Sequence, residues 1–180
     1  MAHRGAESPF EQALLPHLDA AYNLARWLTR NDQDAEDVVQ EAFLRALRFF
    51  GSFRGGDGRS WLLAIVRNAC YDWLQRRAGP DQMMAFDEEI HAPQAAADDP
   101  EHLLLQRADR QIVRRALEAL PPVWREVLIL RELEGLSYKE IARVVGIPVG
   151  TVMSRLARAR TRLQQQLTGP TEEESGRELQ

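Results

Sequence analysis

A cluster of arginines near the end of the chain is the first feature of the sequence that could do chemistry. Residues 148–167 contain four arginines and no acidic residue, although the 180-residue chain has a formal net charge of −4. Arg155, Arg158 and Arg162 are spaced to share one face of a helix. Guanidinium groups bind phosphate and guanine through paired hydrogen bonds. The cluster predicts contact with nucleic acid, the alternative being an ordinary solvated helix face.

The residues before the cluster indicate how it is presented. Ser137 and Glu140 have the S-x-x-E spacing of a capping box, which starts a short helix, and Gly146 is placed to end that helix. A short turn then leads into the arginine-bearing helix, a pattern typical of a helix-turn-helix that reads duplex DNA. Thr151 and Ser154 lie near the start of this second helix, the end that usually reaches base edges.

A second basic region lies earlier in the chain. Residues 59–77 hold four arginines against one aspartate, a net charge of +3, and aromatic residues are interleaved with them. Aromatic rings among positive charges suit single-stranded nucleic acid, whose bases stack while its phosphates need counter-charge. We expect Trp61 and Trp73 to be core residues. Phe53 is the better candidate for a base contact, because residues 51–58 contain four glycines and predict an exposed loop.

An acidic stripe lies on the predicted helix that precedes the glycine loop, opposite the apolar face of that helix. The stripe consists of Asp37, Gln40, Glu41 and Leu44. Carboxylates do not approach phosphate, so the stripe is either a solvated surface or a contact with another protein.

Helical periodicity runs through the chain with no competing strand pattern, so we predict an all-α fold of two small domains. The first unit, 8–78, should hold three helices, near 10–29, 34–50 and 59–77. The second unit, 103–167, should hold four. Between them, residues 79–101 carry seven acids, three prolines and no lysine or arginine, which predicts a flexible acidic linker over about 79–102. Because that linker is long and polar, we expect the units to pack only weakly; 168–180 should be a disordered tail.

Enzyme and metal chemistry find little support in the sequence. The four histidines lack metal-ligand spacing and the single cysteine, Cys70, has no evident base partner, so we expect no catalytic residue, metal or cofactor. The lone cysteine fits a reducing cytosol. No signal peptide or 18-residue apolar run is present, so we expect a cytoplasmic protein without membrane insertion.

Several motifs in a fixed order carry a resemblance to a known family. They are DAEDVVQEAFLRAL, SFRGGDG, WLLAIVRNACYDWLQRR and LPPVWREVLILRELEGLSYKEIARVVGIPVGTVMSRLARAR. Together they resemble the bacterial sigma factors of RNA polymerase, in the small extracytoplasmic-function branch with two conserved domains. The resemblance covers about residues 10–78 and 103–167 and is far more specific than a lone helix-turn-helix.

The resemblance implies that the chain binds core RNA polymerase, directs it to promoters and helps to open the DNA. It assigns the acidic stripe to docking on the polymerase clamp, and the glycine loop to capture of a base flipped from the non-template strand of the upstream-ten element. The upstream-ten residues would be Phe49, Phe53, Ile65, Arg67 and Asn68, of which the first three would line the pocket. The residues for the upstream-thirty-five duplex would be Arg131, Lys139, Thr151, Ser154, Arg155, Arg158 and Arg162.

One residue departs from the family pattern, and the family implies a further partner. Relatives often carry a basic residue where this chain has Met153, so the exact promoter sequence does not transfer. The family also implies an anti-sigma factor that masks these faces until a signal arrives. The alternatives are a stand-alone helix-turn-helix regulator, which leaves the acidic stripe without a role, and a purely structural adaptor.

Overall fold

The computed structural model describes residues 8–78 and 101–168, with side chains from residue 110 onward in the second segment. The described residues contain α-helices and no strand, which confirms the all-α prediction. The α-helices are α1 Pro9–Leu14, α2 Leu18–Thr29, α3 Asp32–Phe49, α4 Gly58–Ala78, α5 Glu101–Glu118, α6 Pro122–Glu132, α7 Tyr138–Val145 and α8 Val149–Thr168. Across these two segments, no helix is long and apolar enough to cross a membrane. The predicted linker up to residue 100 and the predicted tail from residue 169 lie outside the described residues, so the domain boundaries stay a prediction.

In the first unit, α2, α3 and α4 pack around a core of fully buried aliphatic side chains that includes Leu24, Val38 and Leu62. The expected single helix over 10–29 was wrong, because the chain breaks into α1, a 3-10 turn and α2. The break falls at Pro16, which lacks an N–H and whose ring would clash with the carbonyl one turn earlier.

In the second unit, α8 lies against α5, α6 and α7, and the four helices expected there are present. Apolar residues one or two turns apart on each helix form the core, among them Leu130, Ile141 and Leu156. The turn between α7 and α8 is short, which fixes these two helices relative to each other.

The two units pack against each other, and the expectation of weak packing was wrong. Helix α6 lies on α2, and α7 lies on α4. Polar groups join them: Arg59 of α4 donates to the carboxylate and to the backbone carbonyl of Glu134, both at 2.7 Å. Asn23 of α2 donates to the same carboxylate at 3.2 Å. The expectation failed because it weighed the polarity of the linker and not the matching charges on the two faces.

Candidate nucleic-acid interface

The predicted helix-turn-helix is formed by α7 and α8. Ser137 and Glu140 make a reciprocal capping box, in which the Ser137 N–H donates to the Glu140 carboxylate at 2.6 Å and the Glu140 N–H donates to the Ser137 hydroxyl at 3.3 Å. Hydrogen bonding by Ser137 lowers the pKa of the Glu140 carboxyl. Gly146 ends α7 with a left-handed φ of 76°, a conformation that glycine adopts without strain.

The outer face of α8 is open to solvent. Ser154, Arg158 and Arg162 are exposed, and Met153 is 52% exposed. Thr151 is half-buried, and its carbonyl accepts a hydrogen bond from the Ser154 hydroxyl at 3.0 Å. The inner face carries the buried Val152, Leu156 and Ala159. The helix therefore presents polar and cationic side chains on a surface free to meet a duplex.

Two further residues predicted for duplex contact lie beside this helix. Lys139 is exposed on α7. Arg131 is half-buried and holds the turn between α6 and α7, since its guanidinium donates to the Leu136 carbonyl at 2.8 Å and lies 5.1 Å from the centre of the Tyr138 ring. Arg131 thus already has structural partners, and its predicted phosphate contact would be made in addition to them.

The glycine loop precedes α4 and borders a pocket. Gly55 and Gly56 have left-handed φ values of 81° and 93°, which turn the chain sharply. Asp57 then accepts hydrogen bonds from the N–H of Ser60, at 3.0 Å, and from its hydroxyl. Burial alone would raise the pKa of Asp57, but these bonds bring it below its usual range. This cap fixes the start of α4 directly beneath the loop.

The pocket has a volume of about 390 Å³. Of the five residues predicted for the upstream-ten element, Phe53 lines it. Its ring is half-buried and lies 5.1 Å from that of Trp61 and 5.6 Å from that of Phe50. The full lining is Ser52, Phe53, Arg54, Gly55, Asp57, Ser60, Trp61, Ala64 and Arg143. The last of these comes from α7, so the second unit borders the pocket of the first.

The other upstream-ten candidates lie away from the pocket lining. Phe49 is 57% exposed at the end of α3, and Ile65 packs half-buried against the core. Asn68 is exposed on α4. Trp61 and Trp73, expected in the core, are half-buried and packed against it.

Arg67 and Arg155 share a partner that sequence reasoning did not identify. The carboxylate of Glu126 on α6 is fully buried and accepts from Arg67 at 2.8 and 3.2 Å and from Arg155 at 3.5 Å. The Arg67 guanidinium also lies 4.3 Å from the centre of the Tyr71 ring. Burial raises the pKa of Glu126, and the two guanidinium groups oppose that effect. The predicted arginine stripe is therefore split, with Arg158 and Arg162 outward and Arg155 inward.

The acidic stripe lies on the outer face of α3. Asp37 and Gln40 are exposed, and Leu44 is 68% exposed. Glu41 pairs with Arg45, whose hydrogen bond lowers the pKa of that carboxyl, and with Arg76 at 3.2 Å. The stripe therefore combines an exposed apolar side chain with a glutamate held in place by two arginines.

A second apolar surface lies on the second unit and was not predicted. It is a groove of about 360 Å³ between α5, α6 and α8, lined by Leu117, Leu128, Ile129, Glu132, Leu133, Arg160 and Leu163. Leu133 is 55% exposed and Ile112 is 51% exposed. Leu133 is the first residue after α6 and continues the apolar sequence of that helix. An apolar residue beyond the core positions of α6 is the sequence signal that could have revealed the groove.

Comparison with known proteins agrees with this geometry. The family described as "Sigma-70 region 2" matches residues 14–79, and the family described as "Sigma-70, region 4" matches residues 110–163. The ECF RNA polymerase sigma-E factor of Escherichia coli K12 is 44% identical over 134 residues, which cover 71% of this chain and 70% of that protein. This chain belongs to the ECF sigma factors. The ECF sigma factor SigE of Mycolicibacterium smegmatis is 34% identical over 164 residues, covering 91% of this chain but 63% of the relative, so this chain spans less than two thirds of that protein.

Two solved structures share the fold. The sigma factor RpoE of Bartonella quintana, solved with the anti-sigma factor NepR, aligns with a TM-score of 0.68 at 32% identity, covering 90% of this chain and 98% of that one. CnrH, solved with the cytosolic domain of CnrY, aligns with a TM-score of 0.61 at 28% identity, covering 90% of this chain and 89% of that one.

Proposed function

We propose that this sigma factor binds core RNA polymerase, directs it to promoters and helps to open the DNA. The observation that carries the proposal is the combination of three surfaces on one chain: the exposed stripe on α3, the aromatic pocket beside α4 and the open face of α8. A stand-alone helix-turn-helix regulator would need only the last of these. The protein would act in the cytoplasm as a specificity subunit without catalytic residues or cofactors.

The stripe on α3 would dock on the polymerase clamp. Asp37, Gln40 and Leu44 are accessible as they stand, and Glu41 is held in place by its arginine partners. The exposed leucine at the end of the stripe would supply the apolar contact, and the neighbouring polar groups would supply orientation.

The pocket beside α4 would receive a base flipped from the non-template strand. Extraction of a base from the stack costs a few kcal/mol, which contact with aromatic side chains offsets. Phe53 would contact the base directly. Phe49, Ile65, Arg67 and Asn68 lie farther along the same unit and would contact the adjoining strand.

The open face of α8 would read the upstream-thirty-five duplex. Ser154 and Arg158 would lie over base edges or phosphates, with Thr151 and Arg162 along the same groove. Arg155, which contacts Glu126 in this structure, would have to leave that carboxylate to join them. Arg131 and Lys139 would contact the backbone. Met153 lies on the same exposed face, so its thioether would sit where relatives often place a cation.

An anti-sigma factor would control the protein. RpoE and CnrH, which share the fold, were solved with NepR and with the cytosolic domain of CnrY. An anti-sigma factor bound to this chain would cover one or more of the three surfaces and so prevent assembly with polymerase.

Run-off transcription tests the proposal. Purified core polymerase and fragmented genomic DNA are combined with the wild-type chain, with Asn68→Ala or with Arg158→Ala; both residues are exposed, so the variants should fold. Loss of a phosphate or base contact should weaken discrete transcripts about tenfold. Gln33→Ala and Arg110→Ala are matched controls at exposed positions outside the three surfaces and should leave the transcripts unchanged. Tight specific DNA binding without any core-dependent transcript would replace this proposal with the stand-alone regulator.

A further inference from the structure

The interface between the two units contains a buried carboxylate with an unusual pair of partners. Glu126 is fully buried, and both of its oxygens are engaged by Arg67 from α4, in the geometry of a bidentate pair. Arg155 of α8 reaches the same carboxylate at 3.5 Å. A buried carboxylate is stable only when it is paired and hydrogen-bonded. Glu126 therefore depends on one arginine from each unit.

These two arginines belong to the two faces assigned to DNA. Arg67 lies among the upstream-ten residues and Arg155 among the upstream-thirty-five residues of the proposed function. Their side chains are only 18% and 24% exposed, whereas Arg158 and Arg162 on the open face of α8 are free to meet a duplex. Carboxylate and phosphate compete for the same fork of guanidinium donors. While Glu126 holds them, neither arginine is available to a phosphate.

The spacing of the promoter elements makes this arrangement incompatible with full promoter contact. By their names the two elements lie about 25 base pairs apart, or roughly 85 Å along B-form DNA. In this structure α7 packs on α4, and the two arginines meet at one carboxylate. A chain in this conformation cannot contact both elements at once, so the units must separate before the promoter is engaged.

We propose that Glu126 is an intramolecular clasp that occupies Arg67 and Arg155 in the free protein. Separation of the units takes Arg67 away from the carboxylate and opens the remaining Glu126–Arg155 contact, which lies within the second unit, to water and phosphate. This inference rests on the proposed function for the roles of the two arginines. A buried ion pair gains little net free energy, because desolvation offsets most of the Coulomb attraction. Such a contact can hold the closed form and still be exchanged for water and phosphate when a larger partner draws the units apart.

The clasp is tested with Glu126→Gln in the full chain. This change keeps the shape of the side chain but leaves Arg67 facing a neutral amide in a buried site, which destabilises the closed form. We expect a larger radius of gyration in small-angle X-ray scattering. We also expect tighter binding of a random-sequence 30-base-pair duplex at fixed salt; if nine tenths of the free protein is closed, complete opening tightens binding about tenfold.

Glu132→Gln is the matched control. Glu132 is on the same helix and pairs with an arginine of α8, Arg160 at 2.6 Å, but it is half exposed and this ion pair lies within the second unit. Glu132→Gln and Glu126→Gln change the net charge by the same amount. If weaker charge repulsion alone strengthened DNA binding, both variants would therefore bind the duplex more tightly to the same degree. The double variant Glu126→Gln with Arg155→Gln should lose most of the gain, because the freed arginine is what binds the phosphate.

An unchanged radius and unchanged duplex affinity in a folded Glu126→Gln protein would overturn the clasp. If that variant does not fold, as judged by its thermal melt, Arg67→Gln replaces it, since Arg67 is the partner of Glu126 that comes from the other unit. The same larger radius of gyration is then expected, and an unchanged radius would again overturn the clasp. Run-off transcription by the wild-type chain decides the proposed function separately, because it depends on core polymerase and not on the shape of the free protein.

Discussion

Arg125 of α6 donates a hydrogen bond to the backbone carbonyl of Trp27, at 3.0 Å, and so joins the second unit to the end of α2 in the first. The same guanidinium donates to the carbonyls of Leu117, Glu118 and Leu120 at distances of 2.6 to 3.0 Å. The arginine is 1% exposed, and all four of its hydrogen bonds within the described segments go to backbone carbonyls. Burial lowers its pKa to about 10. Its role is to supply donors to carbonyls at the ends of two helices, where intrahelical partners run out.

Replacing Arg125 with methionine should destabilise the protein strongly. The carbonyls of Trp27 and Leu120 would lose this donor, and each buried group left without a partner costs about 1–3 kcal/mol. We expect the free energy of unfolding in urea to fall by roughly 3 kcal/mol or more. Arg114→Met is the matched control, because Arg114 is half exposed and makes an i,i+4 pair with Glu118, worth less than about 1 kcal/mol. Equal losses in the two variants would contradict the role assigned to Arg125.

Replacing Leu44 with arginine should weaken binding to core polymerase without destabilising the fold. Leu44 is 68% exposed, so a longer polar side chain meets solvent in the free protein and changes its thermal melt little. In a docked complex the arginine that replaces Leu44 would lose its water at an apolar contact, and we expect at least a roughly tenfold loss of affinity.

Competition for core polymerase against a fluorescently labelled wild-type chain measures this effect. Leu15→Arg is the control, since Leu15 is 48% exposed in the 3-10 turn after α1 and lies outside the stripe. Full competition by Leu44→Arg would exclude the stripe as the docking surface.

Local signals allowed much of this structure to be predicted from the sequence. The capping box of Ser137 and Glu140 and the left-handed Gly146 are determined within a few residues, so the helix-turn-helix could be placed correctly. Arg67 lies 59 residues from Glu126 in the sequence, and Arg155 lies 29 residues from it. A periodic pattern of residues within one helix gives no information about pairs so far apart. The packing of the two units was missed for the same reason. An arginine that contacts DNA and an arginine that pairs across an interface between units cannot be told apart in a sequence.

Gly58 marks a close approach between α4 and α1 that should tolerate no larger residue. A Cβ at this position would lie 2.7 Å from the backbone carbonyl oxygen of Ala13. Because a backbone atom cannot move aside cheaply, Gly58→Ala should cost about 1–3 kcal/mol of stability. Gly51→Ala is the control, since nothing lies within 4 Å of its Cβ position and its φ is not left-handed. Urea unfolding of both variants measures the difference; a stable Gly58→Ala protein would show that α1 can shift away from α4.

Cys70 should be inert toward thiol reagents in the folded protein. Burial raises the pKa of its thiol to about 12, and the nearby Glu126 carboxylate adds to the effect. The thiolate is the reactive form, so at pH 8 only about one thiol in ten thousand is reactive. We expect negligible reaction with Ellman's reagent in buffer and one thiol per chain in urea, as the sequence has a single cysteine. Fast labelling of the native chain would mean that α4 opens readily.

The same thiol predicts how stability depends on pH. Its pKa in the folded protein, about 12, lies above its ordinary value of 9.0, so the folded state keeps the proton that the unfolded state loses. The contribution is fully present below pH 9 and is lost as the pH rises toward 12. Between pH 8 and pH 10 the free energy of unfolding should therefore fall by about 1 kcal/mol more in the wild-type chain than in Cys70→Ala. Urea unfolding of both chains at the two pH values measures this difference, and parallel pH profiles would show that the thiol is not buried as described.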